Sequence, residues 1–345
     1  MKNTWIKWSK WEFWPARVAN LPVYGMGVWL ALRAGDPLFF TNLNPGIPLS
    51  GAVGESKLAI LRLLPSRLVP PTIAVESGMT IEACLDRMRE AGIAFPVVAK
   101  PDVGERGFLV RICRDESELE NHLRHHPTLF LVQPFIPLPE EYALFFYRFP
   151  DGGAFGIHSV CKKGFLQVTG DGRSTVGELM TGSFRASLQA ARIARDNPEL
   201  YRKVPANGEQ VVLEPIGNHI RGTTFYDARN VVDQAMLDTY RRIADEMPNI
   251  TFGRFDLKCA SADALRKGDV QVVEMNGVFG EPAHVYDPGF SVAQVYAEFW
   301  KHWLLIYRLH KAQKAAGVRT ATLTEARTIL RNWRAHKKRL QRLTQ

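Results

Sequence analysis

Phe252-Gly253-Arg254-Phe255-Asp256-Leu257-Lys258, joined by a short connection to Val270-Gln271-Val272-Val273-Glu274-Met275-Asn276, is the stretch from which the rest of the chain can be read. Polar and apolar residues alternate in both segments with the period of two that marks a β-strand. That alternation puts Arg254, Asp256 and Lys258 on one face of the first segment and Glu274 and Asn276 on one face of the second. The connection contains Lys267-Gly268-Asp269, so the segments are expected to pair antiparallel and bring Arg254, Asp256, Glu274 and Asn276 together. Two carboxylates and an amide oxygen around one point make a hard-cation site of the kind magnesium takes when phosphate oxygens complete its shell. Arg254 beside them suits a phosphoryl group. The same alternation also describes a solvated sheet face. The glycine-bearing loop that follows at once, Gly277-Val278-Phe279-Gly280-Glu281-Pro282, favours a site.

Upstream, Phe95-Pro96-Val97-Val98-Ala99-Lys100-Pro101 reads as an apolar strand ending on a lysine about 150 residues before the acidic pair. It leads into Asp102-Val103-Gly104-Glu105-Arg106-Gly107, with a further strand expected over 108–112. Glycines between two strands let backbone N–H groups approach phosphates closely, and Lys100 would add a point charge. This is not a Walker A loop, because no G-K-[ST] opens a helix. Other features frame these two. A strand is expected at 38–41 and a helix over 55–64 carrying Lys57 near its start. Further helices are expected over 80–92 and 115–125, and a strand over 130–136 that runs into Glu140 and Glu141. Gly170-Asp171-Gly172-Arg173-Ser174-Thr175-Val176-Gly177-Glu178-Leu179 reads as a glycine turn followed by a helix capped by Ser174 or Thr175 with Glu178 in support. Arg221, between Ile220 and Gly222, could reach an anionic substrate or could simply be solvated.

The R-x-D strand followed by E-x-N-G resembles the metal-binding hairpin of ATP-grasp ligases, such as D-alanine:D-alanine ligase and cyanophycin synthetase, and the G-D-G-R-S-T-V-x-E-L run resembles a segment of the latter. The resemblance spans roughly Lys57 to Tyr286. It implies an α+β protein of the ATP-grasp fold, two α+β subdomains clasping ATP. The expected division is a short aromatic-rich N-terminal region over 1–75, subdomains over 76–132 and 133–310, and a basic helical tail over 311–345. It further implies nucleotide contacts at Lys57, Lys100, Gly104, Gly107, Gln133, Phe135, Glu141 and Lys163, with Glu141 on the ribose and Glu140 as its rival. Gln133 stands where the family often has an acid. Magnesium, or manganese, would sit on Asp256, Glu274 and Asn276, and Arg254, Lys100 and Arg221 would serve catalysis. The loop with His284, Tyr286 and Asp287 would help build the acceptor pocket. The implied reaction joins a small-molecule carboxylate to an amine through an acylphosphate. A kinase-like phosphotransferase with the same ATP residues, and a non-enzymatic protein binding a membrane or RNA surface, stay open.

Composition sets bounds on these readings. A chain of 345 residues, 46% hydrophobic and 23% charged, is that of an ordinary globular protein with two or three domains. Its net charge of +9 is localised: from Arg308 onward eleven Lys and Arg face the single acid Glu325, a balance of +10, so the remainder is near −1. The charge of that tail suits RNA, an anionic lipid surface or simple solubility, and Trp5, Trp8, Trp11, Trp14 and Trp29 with Lys2, Lys7 and Lys10 at the other end suit a membrane interface or packing on the body or on a partner protein. The tail is expected to stand apart from the active site, and no specific nucleic-acid motif appears. Cys84, Cys113, Cys161 and Cys259 are too widely spaced for a zinc motif, so buried reduced thiols are expected. No signal peptide or membrane span is evident, which suggests a cytoplasmic protein, at most peripheral at the inner membrane surface and open to homo-oligomer formation.

Overall fold

A computed structural model describes residues 11–104, 107–150 and 152–342. Trp5, Trp8 and the lysines Lys2, Lys7 and Lys10 lie outside the described residues, as do Glu105 and Arg106 of the glycine loop. The chain forms the expected α+β architecture, built on antiparallel sheets. The first sheet has four strands, in the order β1 (Ile73–Val75), β4 (Phe130–Pro134), β2 (Val97–Pro101), β3 (Arg111–Cys113). The second has five, in the order β11 (Val270–Asn276), β10 (Phe252–Cys259), β5 (Glu140–Arg148), β6 (Phe155–Gly164), β9 (Thr224–Asp227). A two-stranded ribbon, β7 (Leu166–Thr169) with β8 (Gln210–Glu214), completes the set.

Alternation along the strands explains how each sheet is covered. On the first sheet Val97, Ala99, Phe130 and Val132 pack under helices Ile81–Glu90 and Glu116–His125 through Cys84, Met88 and Leu119. The alternate residues of β2 and β4, Val98, Lys100 and Gln133, line a cavity shared with the second sheet. On the second sheet Tyr142, Leu144, Phe146, Phe255 and Leu257 form the largest core with Tyr240 and Ile243 of helix Gln234–Asp245. The opposite face is divided along its length. At one end Phe145 and Phe252 pack with Leu30 of α1 (Leu21–Ala34) and with Ile306 and Leu309 of the long helix Val292–Ala315. Further along the same face the side chains become Arg254, Asp256 and Glu141, and they line the cavity. The four cysteines are free and buried.

Several local expectations need correction. Residues 38–41 do not form a strand; Phe39–Asn42 is a 3₁₀ turn, with the Thr41 hydroxyl donating to the Leu38 carbonyl. The strand expected over 108–112 starts only at Arg111, because Gly107 (φ 70°) and Leu109 (φ 54°) are both left-handed and break the extended run. The connection between β10 and β11 is not a bare turn but carries the helix Ala262–Lys267, stopped by Gly268 in the left-handed region. Thr175, not Ser174, caps the helix at Val176 and forms a capping box with Glu178. In the first sheet β1 precedes residue 76 and β4 runs through Pro134, and the long helix runs from Val292 to Ala315.

Candidate active site

The two acidic strands pair as alternation predicts. Arg254 lies opposite Asn276 and Asp256 opposite Glu274. An irregularity after Asp256 places two residues of β11 against one step of β10, so Val273 has no cross-strand partner in the register. Its carbonyl instead accepts a hydrogen bond from Lys100 Nζ at 2.7 Å, which ties the end of β2 in the first sheet to the acidic strand of the second.

Charges alternate closely around this point. Arg254 Nη2 donates to Asp256 Oδ2 at 3.1 Å, and Asn276 Nδ2 donates to the same oxygen at 3.2 Å. Lys163 Nζ lies 3.4 Å from Asp256 Oδ1 and donates to Glu141 Oε1 at 2.7 Å. Lys57 Nζ is 3.5 Å from Glu274 Oε1 and donates to the Gly104 carbonyl at 2.6 Å. Burial opposes ionisation of Asp256, yet Arg254 and Lys163 hold its carboxyl below the usual range. Burial likewise opposes the charge on Lys163, and the Asp256 and Glu141 carboxylates outweigh it, raising its pKa. Lys100 has no such compensation: burial pulls its pKa down to about 8, against Glu274 and with help from Lys57. The three lysines and the arginine therefore differ in kind. Arg254 and Lys163 are locked cations, and Lys100 is a cation near its titration point.

These residues line one cavity of about 780 Å³ between the two larger sheets. Lys57, Lys100, Gly104, Gly107, Gln133, Phe135, Glu141, Lys163, Arg254, Asp256, Glu274 and Asn276 all contribute to its wall. Of the two adjacent glutamates only Glu141 lines it. Glu140 turns away to accept from Tyr142 Oη and Lys162 Nζ. Gln133 Nε2 donates to Thr72 Oγ1 at 2.7 Å, and the Phe135 N–H is already given to the Pro96 carbonyl. Arg221 does not line the cavity; it stands behind the glycine loop, donating to the Gly107 carbonyl at 2.9 Å and lying 3.5 Å from Glu214.

The oxygens suit a hard divalent cation. Asp256 Oδ1 is buried with no hydrogen-bond donor in good geometry, and Glu274 keeps 37% of its side chain exposed on the cavity wall. Among the described residues no group of three His, Cys, Asp or Glu is gathered as a metal cage. A set of two carboxylates and an amide instead matches a cation that keeps water and phosphate ligands of its own.

Sequence reasoning missed several residues of the wall. Lys258, two positions beyond Asp256 on the same face, donates to the Ile136 carbonyl at 3.2 Å and lies 5.2 Å from the centre of the Phe135 ring. Its alternation with Arg254 and Asp256 was signal enough to include it. Trp333 carried no local signal. It belongs to the last helix, Leu323–Arg342, it packs on Gly54, and His336 one turn later approaches the Val103 carbonyl at 3.3 Å. The basic tail therefore does not stand apart from the cavity but forms part of its rim. At the far end Trp11, Glu12 and His219 join Tyr286 in the wall.

No protein-family model matches the chain, and no curated protein sequence does. Among solved structures it is similar to a bifunctional glutathione synthetase from Pasteurella multocida, at 16% identity over 71% of this chain and 36% of that one, with a TM-score of 0.34. It is also similar to the VanG D-Ala:D-Ser ligase from Enterococcus faecalis, at 13% identity over 73% of this chain and 61% of that one, TM-score 0.41. A third is the D-alanine–D-alanine ligase from Bacillus anthracis, at 12% identity over 73% of this chain and 68% of that one, TM-score 0.40. The chain thus spans about a third of the length of the first of these and under two thirds of the second.

Proposed function

We propose that the chain is an ATP-dependent carboxylate–amine ligase, its two larger sheets acting as the jaws of an ATP-grasp fold divided near residue 133. The observation that carries this reading is the one cavity in which Lys57, Lys100, Lys163 and Arg254 meet Asp256, Glu274 and Asn276. Cations alone would mark an anion site and carboxylates alone a cation site. Their alternation at one point is what a nucleotide triphosphate with its metal requires. Asp256, Glu274 and Asn276 would hold magnesium, or manganese, whose chemistry is to neutralise phosphate charge. Lys57, at the start of the helix Lys57–Leu61 and bonded to the glycine loop at Gly104, and Lys100, on β2, take the polyphosphate, and Glu141 takes the ribose. A substrate carboxylate oxygen attacks the γ-phosphorus and ADP leaves, with Arg254 and Lys100 stabilising the charge of the transferring group. The acylphosphate so formed is attacked at carbon by an amine nitrogen; phosphate leaves and the amine proton passes to solvent. Positioning and charge carry the catalysis, so no protein nucleophile is required.

The test is phosphate release by the purified chain with magnesium and ATP, given pooled amino acids and other small carboxylates. Turnover dependent on both acid and amine is expected, with Glu274→Ala reducing it by more than about 100-fold while the circular dichroism is unchanged. Full activity in that variant would remove the metal assignment. Phosphate transfer that stops at a stable phosphorylated product would instead make the chain a kinase.

A second reading, of where the protein works, rests on a separate observation. Helix α1 leaves Leu21, Tyr24, Val28 and Leu32 exposed in a stripe, at 57 to 77%, with Arg33 in its last turn and Arg17 in the preceding short helix Ala16–Ala19. No helix among the described residues is long and apolar enough to cross a membrane. An exposed apolar stripe between arginines fits an anionic bilayer surface. Full-length protein is expected to sediment with phosphatidylserine vesicles at low salt, and Leu32→Glu is expected to abolish this. Binding that survives the substitution, or a stripe buried in a homodimer by ultracentrifugation, would overturn it.

A further inference from the structure

At the end of the cavity lined by Trp11 and Tyr286, a carboxylate of the chain itself is held between an arginine and a histidine. Glu12 Oε2 accepts from Arg185 Nη2 at 2.7 Å and lies 3.1 Å from His219 Nε2. Only 6% of the Glu12 side chain is exposed. Burial opposes its ionisation, yet His219 and Arg185 hold its carboxyl below the usual range. Glu12 and His219 belong to the cavity wall, and Arg185 stands behind them, bonded to Glu12 and approaching the Thr223 carbonyl at 3.4 Å.

The neighbours connect this point to the phosphate end. Trp11 stacks on Tyr286 with ring centres 5.0 Å apart, and the His219 ring lies 5.2 Å from that tyrosine. Tyr286 Oη donates to Glu281 Oε2 at 2.5 Å, and the Glu281 carbonyl accepts from Arg254 Nη1 at 2.9 Å. One continuous set of contacts therefore runs from the carboxylate on Arg185 to the arginine beside Asp256.

We propose that Arg185 and His219 form the anion clamp for the carboxylate of the amine-bearing substrate, and that Glu12 is a self-supplied occupant which that substrate displaces. The assignment of the clamp to the acceptor rests on the ligation reading above. The physical reason for a resident carboxylate is desolvation: a largely buried guanidinium is stabilised by an anion against it, and Glu12 supplies one. Exchanging one carboxylate for another keeps the charge balance. The acceptor class follows from the parts: a small amino acid or peptide with a free carboxylate at one end, long enough to present its amine toward Glu281 and Arg254.

A resident occupant lowers the apparent affinity of its competitor by the fraction of molecules in which the clamp is open. Glutarate, which carries the same terminal group as Glu12, serves as the probe, and glutaramide as its uncharged control, with binding measured by calorimetry on the full chain without nucleotide. Glu12→Ala is expected to bind glutarate about tenfold more tightly than the wild type and to ignore glutaramide; adding Arg185→Ala should abolish the gain. Should Glu12→Ala fail to fold, Glu12→Gln keeps the shape and should move in the same direction. Equal glutarate affinity in wild type and variant, equal binding of acid and amide, or indifference to Arg185 would overturn the proposal. ATP affinity measured on the same samples separates its failure from that of the ligase reading, since glutarate binding requires no nucleotide.

Discussion

Lys100 shows how one side chain is set by two sheets. Its Nζ donates to the Val273 carbonyl across the two sheets, and burial, with Lys57 nearby, lowers its pKa to about 8 from an ordinary 10.5. Between those two values the folded chain holds a neutral amine while the unfolded chain holds an ammonium. Phosphate oxygens favour the ammonium, so nucleotide binding should draw in a proton. ATP affinity is then expected to fall as pH rises through about 8, by at most about tenfold per unit, and to become insensitive to pH in Lys100→Arg, whose guanidinium does not titrate. Calorimetry in buffers of different ionisation enthalpy reads both the affinity and the proton. A flat profile between pH 7 and 9 in the wild type would mean that Lys100 does not face phosphate.

Among elements, the loop after β11 depends on a close backbone approach. A Cβ on Gly277 would lie 2.3 Å from the Ser50 carbonyl oxygen and 2.6 Å from Gly51 Cα, and the Val278 N–H is bonded to that same Ser50 carbonyl. The glycine that ends the E-x-N-G motif is thus required because another turn of the chain rests on it. Gly277→Ala is expected to destabilise the fold by about 1–3 kcal/mol, as overpacking of fixed backbone does, and to weaken ATP binding by displacing Asn276. Urea denaturation and calorimetry measure the two effects. An unchanged urea midpoint would show that the 48–51 turn yields freely.

For the molecule as a whole, acid sensitivity is built in beneath the second sheet. His158 and His284 are pulled to about 4 and His302 well below its ordinary value, in each case by burial first and then by neighbouring charges. Their rings lie together, His158 5.2 Å from His302 and 6.4 Å from His284. A folded pKa below the unfolded value near 6.5 means that the unfolded chain takes up protons first. The stability these groups contribute is complete above about pH 6.5 and is lost as pH falls toward about 4. The urea midpoint should drop across that window, and less steeply in His302→Phe. A midpoint constant from pH 7 to 4.5 would contradict this. Within the chain, sequence by itself determined what period-two alternation encodes: the strands 252–258 and 270–276, their antiparallel pairing, and the meeting of Arg254, Asp256, Glu274 and Asn276, because a strand's faces are fixed by its own residues. It also placed Lys100 at a strand end and marked the capped turn at 175–178. Only tertiary structure decided that Arg221 braces the glycine loop from behind, that Trp333 closes the rim, and that Glu12 fills a clamp made by Arg185 and His219. These contacts join residues more than a hundred positions apart through side chains that obey no local period, so their partners are set by how the sheets and helices pack.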